Sequence, residues 1–231
     1  MPESKERERP TAPPADSAIA RVVKDPVSRR KFMALTGGSA ALAAFLAACG
    51  SDSGTTTTST ASSGGSTTGT EQFGKGDIGI LNYALTLEYL ETAFYKDVIK
   101  SGLFKGAELE TIRKFGAEEA EHVAALTAAV KQMGGTPAPM PKTKFPLKNA
   151  KSVLELASTV ENLGAAAYLG QAANIKSPAV LASALAIHSV EGRHASVLNT
   201  LIGESITPDG AFAKPADATT VLKSVEPFIV S

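Results

Sequence analysis

The sequence predicts an all-α fold: a bundle of four long helices of similar length, followed by one short helix. Three observations support this prediction. From Asp77 onward, apolar residues recur with the period of a helix, and strand signals are few. Each long apolar segment ends at residues typical of helix termini. The connections between these segments are either very short or rich in proline.

The predicted helices have recognisable ends. Asp77 is predicted to cap the first helix, which stops at Gly102. Ser177 is predicted to cap the fourth helix, with Pro178 in its first turn and Gly203 after its end. The predicted bounds are 77–101, 107–133, 151–175 and 178–202, with a short helix around 216–225 that we expect to pack across one end of the bundle.

Connection lengths predict how the helices run. The first and second helices are joined by about five residues and the third and fourth by about two, so each pair should be antiparallel. The connection 134–149 carries four prolines and should not be helical. Because some fifteen extended residues cover up to about 50 Å, this segment can cross the whole bundle. The third helix should then run parallel to the second.

Composition limits the classes of function. The 231 residues suffice for one sizeable core, so we expect one folded domain. Residues 49–231 carry 15 Lys and Arg against 18 Asp and Glu, which indicates neither nucleic acid nor an anionic membrane surface as a partner. The single cysteine, Cys49, excludes a disulfide framework and a thiolate metal cluster.

Residues 1–48 resemble an export signal. Arg29 and Arg30, followed by Phe32, resemble the Tat signal, and the Ala-rich stretch after them is too short to span a bilayer as a permanent helix. The segment Leu46-Ala47-Ala48-Cys49 resembles the lipobox at which lipoproteins are cut before a lipidated cysteine. The alternative is a buried Ala/Leu helix with an incidental cysteine. We expect an exported protein, anchored in the cell envelope through Cys49.

A tether is predicted at residues 49–73. From Gly50 to about Thr70 the chain is almost wholly Ser, Thr and Gly, a composition that stays flexible and solvated. About twenty such residues give an average reach of about 25 Å. The folded domain is then predicted at 74–231.

Two motifs in the helical region occur twice. A Glu-x6-Tyr motif at Glu88 and Tyr95 recurs 73 residues later at Glu161 and Tyr168. A Glu-x-x-His motif at residues 119 and 122 recurs 72 residues later at 191 and 194. Four helices that carry these motifs in turn supply four carboxylates and two imidazoles for a di-metal site inside the bundle. The predicted metal ligands are Glu88, Glu119, His122, Glu161, Glu191 and His194.

The predicted ligands should lie at one height, since each is near the middle of its helix. The two glutamates of the Glu-x-x-His motifs are predicted to bridge two ions, because bridging carboxylates neutralise neighbouring cations. Each histidine would bind one ion, and the two remaining glutamates would complete the set. Nitrogen and oxygen ligands without thiolate suit iron or manganese better than structural zinc.

Several residues leave alternatives open. A single Glu-x-x-His motif would be read as a surface acid and an incidental histidine, but two copies in register favour the metal site. Glu91 could replace Glu88 as a ligand, although its counterpart in the repeat is Gly164. His188 is assigned to the core or to the surroundings of the ligands.

The tyrosines of the repeat have two readings of equal weight. Tyr95 and Tyr168 are either core residues or hydrogen-bond donors to the ligands. Glu118 and Glu121 flank one histidine motif on other helix faces, where they are solvated or surround the ligands.

The segment Leu87-Glu88-Tyr89-Leu90-Glu91-Thr92-Ala93-Phe94-Tyr95 resembles the opening helix of the ferritin-like domain that is shared with desiccation-related proteins. The resemblance to this ferritin-like superfamily covers about 77–230. It places the family's di-metal ligands on the six residues named above, and it places on Tyr95 the tyrosine that follows the family's first-helix carboxylate. It implies oxidation of bound metal coupled to dioxygen or peroxide, and it does not imply a storage cage. The Cys-rich rubredoxin module of rubrerythrins is missing, so any electrons must come from elsewhere.

Three functions follow as expectations. The leading one is an exported di-iron protein that binds or oxidises Fe(II), with dioxygen or peroxide, and limits oxidative damage. The same ligands would also suit two manganese ions in an enzyme that dismutates peroxide. The third is a non-catalytic envelope or desiccation-stress module. The cofactor expected is two iron ions, or alternatively two manganese ions, and a homodimer is left open.

Overall fold

The structure is a computed structural model that describes residues 68–230. Its helices are α1 (Gly76–Ser101), α2 (Gly106–Gln132), α3 (Ala150–Gln171), α4 (Pro178–Ile202) and α5 (Ala218–Val225). Short 3-10 turns occupy Glu71–Phe73, Ala172–Asn174 and Glu226–Phe228. These residues include no strand, only an isolated bridge between Thr143 and Ile229. The all-α class is therefore confirmed for the described part of the chain.

Most predicted helix ends agree with the structure. Gly102 and Gly203 follow α1 and α4 with φ of 70° and 79°, in the left-handed region that glycine adopts without steric cost. Ser177 caps α4 by accepting a hydrogen bond from the Val180 N–H at 3.4 Å. Asp217 caps α5 in the same way, at 2.9 Å from the Thr220 N–H.

Asp77 is not the N-cap that the sequence predicts. α1 begins at Gly76, and Lys75 stands at the N-cap without a capping side-chain bond. The Asp77 carboxylate instead accepts hydrogen bonds from the backbone N–H groups of Lys176, at 2.8 Å, and Ser177, at 2.7 Å. These two N–H groups lie just before α4 and have no carbonyl partner within that helix. The Asp77 carboxylate therefore links the start of α1 to the start of α4.

α3 is shorter than predicted, and another segment crosses it near its end. The α-helix stops at Gln171 and continues as a 3-10 turn. Near this end, Ala216 N donates a 2.9 Å hydrogen bond to Ala166 O. A Cβ on Gly170 would lie 1.9 Å from Ala216 O, so only glycine leaves room for the crossing backbone.

α1 and α2 run in opposite directions. Tyr95, near the end of α1, packs edge-to-face on Phe115, near the start of α2, with ring centroids 6.1 Å apart. At the other end, Leu81 of α1 and Val130 of α2 belong to one buried cluster. This confirms the short hairpin connection predicted between them.

α3 and α4 form the second antiparallel pair. Ser158, early in α3, donates a 2.6 Å hydrogen bond to Asn199, late in α4. Further along α3, the carbonyl of Ala165 lies 3.0 Å from His188 Nδ1, which comes earlier in α4.

The connection 133–149 runs alongside α1. Asn82 donates from its amide to Thr136 O at 3.0 Å and accepts from Ala138 N at 2.8 Å. Later in the connection, Phe145 packs edge-to-face on Phe94, twelve residues further along α1. The segment contains no helix.

Three buried clusters make up the described core, two among the four long helices and one beneath α5. The first core cluster consists of Ile80, Leu81, Ala84, Leu85, Leu126, Val130, Tyr168, Ile175, Val180, Ala184 and Ile187. The second core cluster consists of Phe94, Tyr95, Val98, Phe104, Ile112, Phe115, Val153, Ala157 and Leu198. The two clusters draw on opposite ends of the four long helices, so a layer between them remains for polar residues.

α5 covers the side of the helices rather than one end. Its Ala218 and Val221 are buried against Tyr83 and Leu90 of α1 and Ala167 of α3. Those α1 residues span the stretch from the first quarter to the middle of the helix, so the predicted end position of the short helix was wrong.

The described chain packs against the helices from its first residues. Gln171 donates from its side chain to Thr68 O at 3.1 Å, and Thr70 is buried. The residues Arg29, Arg30 and Cys49, which carry the predicted export signal, lie outside the described residues. Among the described helices, none combines the length and the apolar character needed to cross a membrane.

Candidate metal centre

The structure brings all six predicted ligands together between the two core clusters. α1 contributes Glu88, α3 contributes Glu161, and the Glu-x-x-His motifs of α2 and α4 supply the rest. All four glutamates are completely buried. An ionised carboxylate in such a position is costly unless it is paired with a cation or a hydrogen-bond donor. The arrangement therefore calls for positive charge at its centre.

The ligand atoms form two overlapping groups. In each group, four potential ligand atoms lie within 4.8 Å of one another. One group is Glu88, Glu119, His122 and Glu191, and the other is Glu119, Glu161, Glu191 and His194. Glu119 and Glu191 belong to both groups, as the bridging role predicted from the repeat requires.

His122 points its Nδ1 atom at three carboxylates. The Nδ1 atom lies 2.8 Å from Glu119 Oε2, 3.2 Å from Glu88 Oε2 and 3.2 Å from Glu191 Oε1. One ring nitrogen carries at most one hydrogen and cannot donate to all three oxygens. Convergence of three acceptors on one nitrogen is a geometry that a shared cation satisfies better than a single proton.

His194 is held more firmly than His122. Its Nδ1 atom lies 2.8 Å from Glu119 Oε1 and 3.3 Å from Glu161 Oε2. Its other nitrogen, Nε2, lies 2.8 Å from Glu118 Oε2, and Phe115 stacks on the ring at a centroid distance of 4.1 Å. A carboxylate on the far nitrogen fixes a ligand histidine and increases its basicity.

The two histidines also differ in exposure. The His122 side chain is 12% exposed, whereas that of His194 is 3% exposed. The repeat explains part of this difference, because the counterpart of Glu118 is Val190 and the counterpart of Phe115 is Ile187. The His122 half of the site is therefore the more open one.

Several buried atoms in the layer have no hydrogen bond of acceptable geometry to a described residue, although some of them lie within 3.3 Å of an oppositely charged group. Each of them belongs to a predicted ligand; they are Glu119 Oε1, Glu161 Oε2, both carboxylate oxygens of Glu191 and His194 Nδ1. Buried polar atoms without a hydrogen bond are rare in native proteins and call for an explanation such as a bound ion. The orphaned atoms fit a metal with oxygen and nitrogen ligands.

Burial controls the charge of most carboxylates when no metal is bound. It raises the pKa of Glu88 to about 7, with the neighbouring Glu119 acting in the same direction. It raises the pKa of Glu191 and Glu161 above the usual range as well. Glu119 is the exception, since the two histidines outweigh burial and lower its pKa to about 2. Without a metal, most of these carboxylates would therefore hold protons, which would supply the positive charge that a bound metal would otherwise supply.

The pKa values of both histidines are also raised when no metal is bound. Burial alone would lower the pKa of each imidazole, but the surrounding carboxylates dominate. Contacts with Glu119 and Glu191 raise the pKa of His122 to about 12. Glu119 and Glu161 raise the pKa of His194 to about 11. Both rings would have to release a proton to bind metal.

The two tyrosines donate hydrogen bonds to ligands. Tyr168 donates to Glu88 Oε1 at 2.5 Å, and Tyr95 donates to Glu161 Oε1. Both side chains are also buried. Of the two readings that the sequence left open, the tyrosines combine both: they belong to the core and they orient carboxylates.

Glu91 is a seventh buried acid next to the site. It is 3% exposed, and burial followed by the charge of Glu191 raises its pKa well above the usual value. A Cβ on Gly164 would lie 2.9 Å from Glu91 Oε1 and 3.0 Å from Glu191 Oε2. The glycine opposite Glu91 in the repeat therefore leaves space for these two carboxylates. Glu88 belongs to one of the two four-residue groups, whereas Glu91 belongs to neither.

The remaining candidates lie outside the ligand groups. His188 faces the Ala165 carbonyl and belongs to neither group. Glu121 is exposed, while Glu118 contacts His194. The roles of Phe115 and Asp77 were not predicted, because a Phe four residues before a motif, or an acid in the first turn of a helix, gives no signal of a partner on a distant helix.

Comparison with protein families identifies the domain. The family described as "Ferritin-like domain" matches residues 76–204, which is more than half of the chain. This chain belongs to the ferritin-like domain family. The match spans α1 to α4 and so includes all six predicted ligands of this ferritin-like domain. A comparison with curated proteins found no match.

The buried cluster in this ferritin-like domain is compatible with a di-metal site. Carboxylate and imidazole donors without thiolate suit iron or manganese. Two ions that share Glu119 and Glu191 would both lie in the layer between the core clusters, away from bulk water.

Proposed function

We propose that this ferritin-like protein binds two iron ions between its four long helices and oxidises Fe(II) with dioxygen or peroxide. The observation that carries the proposal is the pair of overlapping ligand groups that share Glu119 and Glu191. Their orphaned buried atoms and the family match support it. The proposed architecture is a ferritin-like four-helix bundle in which residues 133–149 form the crossover to α3.

The protein's own residues have separate tasks in this proposal. Glu119 and Glu191, which belong to both ligand groups, would hold the two ions together. His122 and His194 each bind one ion through Nδ1, the atom that faces the carboxylates. Tyr168 keeps Glu88 in position through its hydrogen bond. Tyr95 does the same for Glu161. Bound iron would supply the redox chemistry, which no side chain here can provide.

The overall reaction balances with two ions. Two Fe(II) ions that become Fe(III) release two electrons. With two protons, these electrons reduce one dioxygen to hydrogen peroxide; alternatively, they reduce one hydrogen peroxide to two waters. The acids of the layer, Glu88 and Glu91 among them, are buried next to the ions and can exchange protons there. Consumption of free Fe(II) would limit oxidative damage.

Direct metal measurements test the proposal. We expect anaerobic titration of the metal-free full chain with Fe(II) to end at two ions per chain, and subsequent addition of dioxygen or peroxide to yield two Fe(III). Metal analysis of protein from its natural host should find iron. Two manganese ions with dismutation of peroxide would identify the manganese enzyme instead. Binding of fewer than two ions would overturn the di-metal proposal in favour of a structural module.

We further propose that the protein is exported and anchored to a membrane through lipidated Cys49. The twin arginine at residues 29 and 30 and the lipobox sequence support this. Mass spectrometry should find a mature chain that starts at a lipid-modified Cys49, and Cys49→Ser should release the protein from membranes. An unmodified Cys49, or a membrane-bound Cys49→Ser variant, would contradict the anchor without affecting the metal site.

A further inference from the structure

An internal cavity lies within the first core cluster, close to the candidate metal centre. Its volume is about 20 Å³, and residues from all four long helices line it. Every lining residue is buried. The lining includes Ala84, Leu126, Ala167, Val180 and Ala184.

The cavity adjoins the His122 half of the site. Ala84 lies one helical turn before Glu88, and Leu126 lies one turn after His122. Tyr168 lines the cavity with its ring and donates its hydroxyl to Glu88. The lining of the cavity therefore comes within one helical turn of the more exposed histidine.

The internal repeat shows that this space is specific to one half. The counterparts of Ala167 and Ala184, 73 and 72 residues earlier, are Phe94 and Ile112. Both of these larger side chains are buried in the second core cluster, on the His194 side. The same position in the fold is thus filled beside His194 and left open by two alanines beside His122.

Water is a poor occupant of this cavity. A buried water usually needs two to four polar partners. The Gln171 amide already bonds Thr68 and Asn174, and the Tyr168 hydroxyl bonds Glu88. Among the polar side-chain atoms of the lining, only the Tyr83 hydroxyl lacks a hydrogen bond to a described residue. Apolar cavities of this kind stay dry and accept small apolar molecules.

We propose that this cavity binds dioxygen and holds it beside the His122 half of the di-iron site. The inference rests on the proposed function, and it selects dioxygen as the oxidant that uses this site. Hydrogen peroxide, which needs hydrogen-bond partners, would have to reach the metals by another route. Aromatic side chains fill the His194 side, so dioxygen would approach the metals from the His122 side.

Xenon is the probe for the cavity itself, because it binds apolar cavities without any reaction. We expect xenon to bind the metal-free full chain at one internal site, seen by crystallography under xenon pressure or by NMR shifts of the lining methyl groups. Ala184→Val should abolish this binding, since the two added methyl groups occupy the cavity. Ala182→Val, an exposed change on the same helix with the same loss of helix propensity, should leave it intact.

Kinetics then connect the cavity to oxidation. After anaerobic loading with Fe(II), Ala184→Val should slow oxidation by dioxygen several-fold but leave the rate with hydrogen peroxide unchanged. Ala182→Val should match the wild type with both oxidants. The number of Fe(II) ions bound should stay the same in all three proteins, so a failure of iron binding is seen separately from a failure of the cavity.

The possible results are distinct. Absence of xenon from the wild-type cavity, or unchanged dioxygen kinetics in a variant that has lost xenon, would overturn the proposal. Equal slowing with both oxidants would also overturn it, because the cavity would then not discriminate between them. Should Ala184→Val fail to fold by circular dichroism, Val180→Ile reduces the same cavity by a single methylene and takes its place.

Discussion

Tyr168 donates its hydroxyl hydrogen bond to Glu88, so the tyrosine of the second repeat serves the glutamate of the first. The relationship is reciprocal, since Tyr95 of the first repeat donates to Glu161 of the second. Tyr168, near the end of α3, shares a buried cluster with Leu81, near the start of α1, and Val153, near the start of α3, shares one with residues from the end of α1. The two helices therefore run in opposite directions, which brings the end of each motif opposite the start of the other. Each half-site therefore depends on a residue of the other half.

Removal of one tyrosine hydroxyl should weaken metal binding at one position. Tyr168→Phe leaves the core packing in place but frees the Glu88 carboxylate, and loss of such an orienting bond typically costs about 10–100-fold in metal affinity. Anaerobic Fe(II) or Mn(II) titration should show one weakened ion and one near normal. Tyr89→Phe, in the same region but without a side-chain hydrogen bond to a described residue, is the matched control. Equal affinities for all three proteins would refute the orienting role.

The bridging glutamates should matter more than the histidines. Glu119→Ala removes a side chain from both four-residue groups and should abolish the paired site, whereas His122→Ala removes one from a single group and should weaken mainly one ion. Counting bound ions by anaerobic titration distinguishes the two outcomes. Retention of two ions by Glu119→Ala would show that this carboxylate does not bridge.

Much of this arrangement is readable from sequence because it depends on helical periodicity and on the repeat. The six predicted ligands lie at one level because each stands near the middle of a helix whose ends were marked by residues such as Gly102 and Ser177. Those signals are local, and local signals survive in a single sequence.

Features that depend on contacts between distant helices could not be read in the same way. Asp77 looked like an ordinary cap, yet its partners are backbone groups a hundred residues away. Likewise, the contact of Glu118 with His194 joins α2 to α4 without any pattern in spacing. The repeat predicted near-symmetry between the half-sites, and it offers no way to rank Glu118 above the exposed Glu121.

That asymmetry is itself testable. Glu118→Ala should weaken the ion bound by His194 and leave the ion at His122 nearly unchanged, because only His194 has this carboxylate on its Nε2. The expected loss is again about tenfold or more in affinity for one ion. Stepwise Mn(II) titration followed by electron paramagnetic resonance measures it, with Glu121→Ala as the control on the same helix. An equal effect of both substitutions would leave Glu118 without a role at the site.

The metal-free protein should lose stability as the pH rises. His122 and His194 have pKa values of about 12 and about 11 in the folded chain, above the usual value of 6.5, and Glu88 is raised to about 7. The folded state then binds more protons than the unfolded state, so this stabilisation is full below the unfolded pKa values and is lost as pH rises through the folded ones.

Urea denaturation of the metal-free chain should therefore give a lower free energy of unfolding at pH 8.5 than at pH 6. The chain should remain helical at both values, because the ligands occupy one layer between two apolar clusters. Addition of Mn(II) should raise stability most at the higher pH, since the metal displaces protons from its ligands more readily at pH 8.5 than at pH 6. Stability that rises with pH in the metal-free chain would contradict the proton-filled site.

Gly164 should be irreplaceable for a reason that its helix does not reveal. Alanine normally favours a helix over glycine by about 1 kcal/mol, and Gly192→Ala, where no atom lies within 4 Å of the new Cβ, should show that gain. At Gly164 the new Cβ would meet the carboxylates of Glu91 and Glu191. Gly164→Ala should therefore displace a bridging ligand and reduce binding of two ions at least tenfold.

The double variant Glu91→Ala/Gly164→Ala separates crowding from any other effect of the methyl group. Removing the Glu91 carboxylate leaves space for Glu191 to return to its position, so the affinity for two ions should recover at least to that of Glu91→Ala alone. A double-mutant cycle on metal affinity and on the urea midpoint measures this coupling. Additive effects in the cycle would mean that Gly164 does not make room for Glu91, and that the glycine in the repeat has another cause.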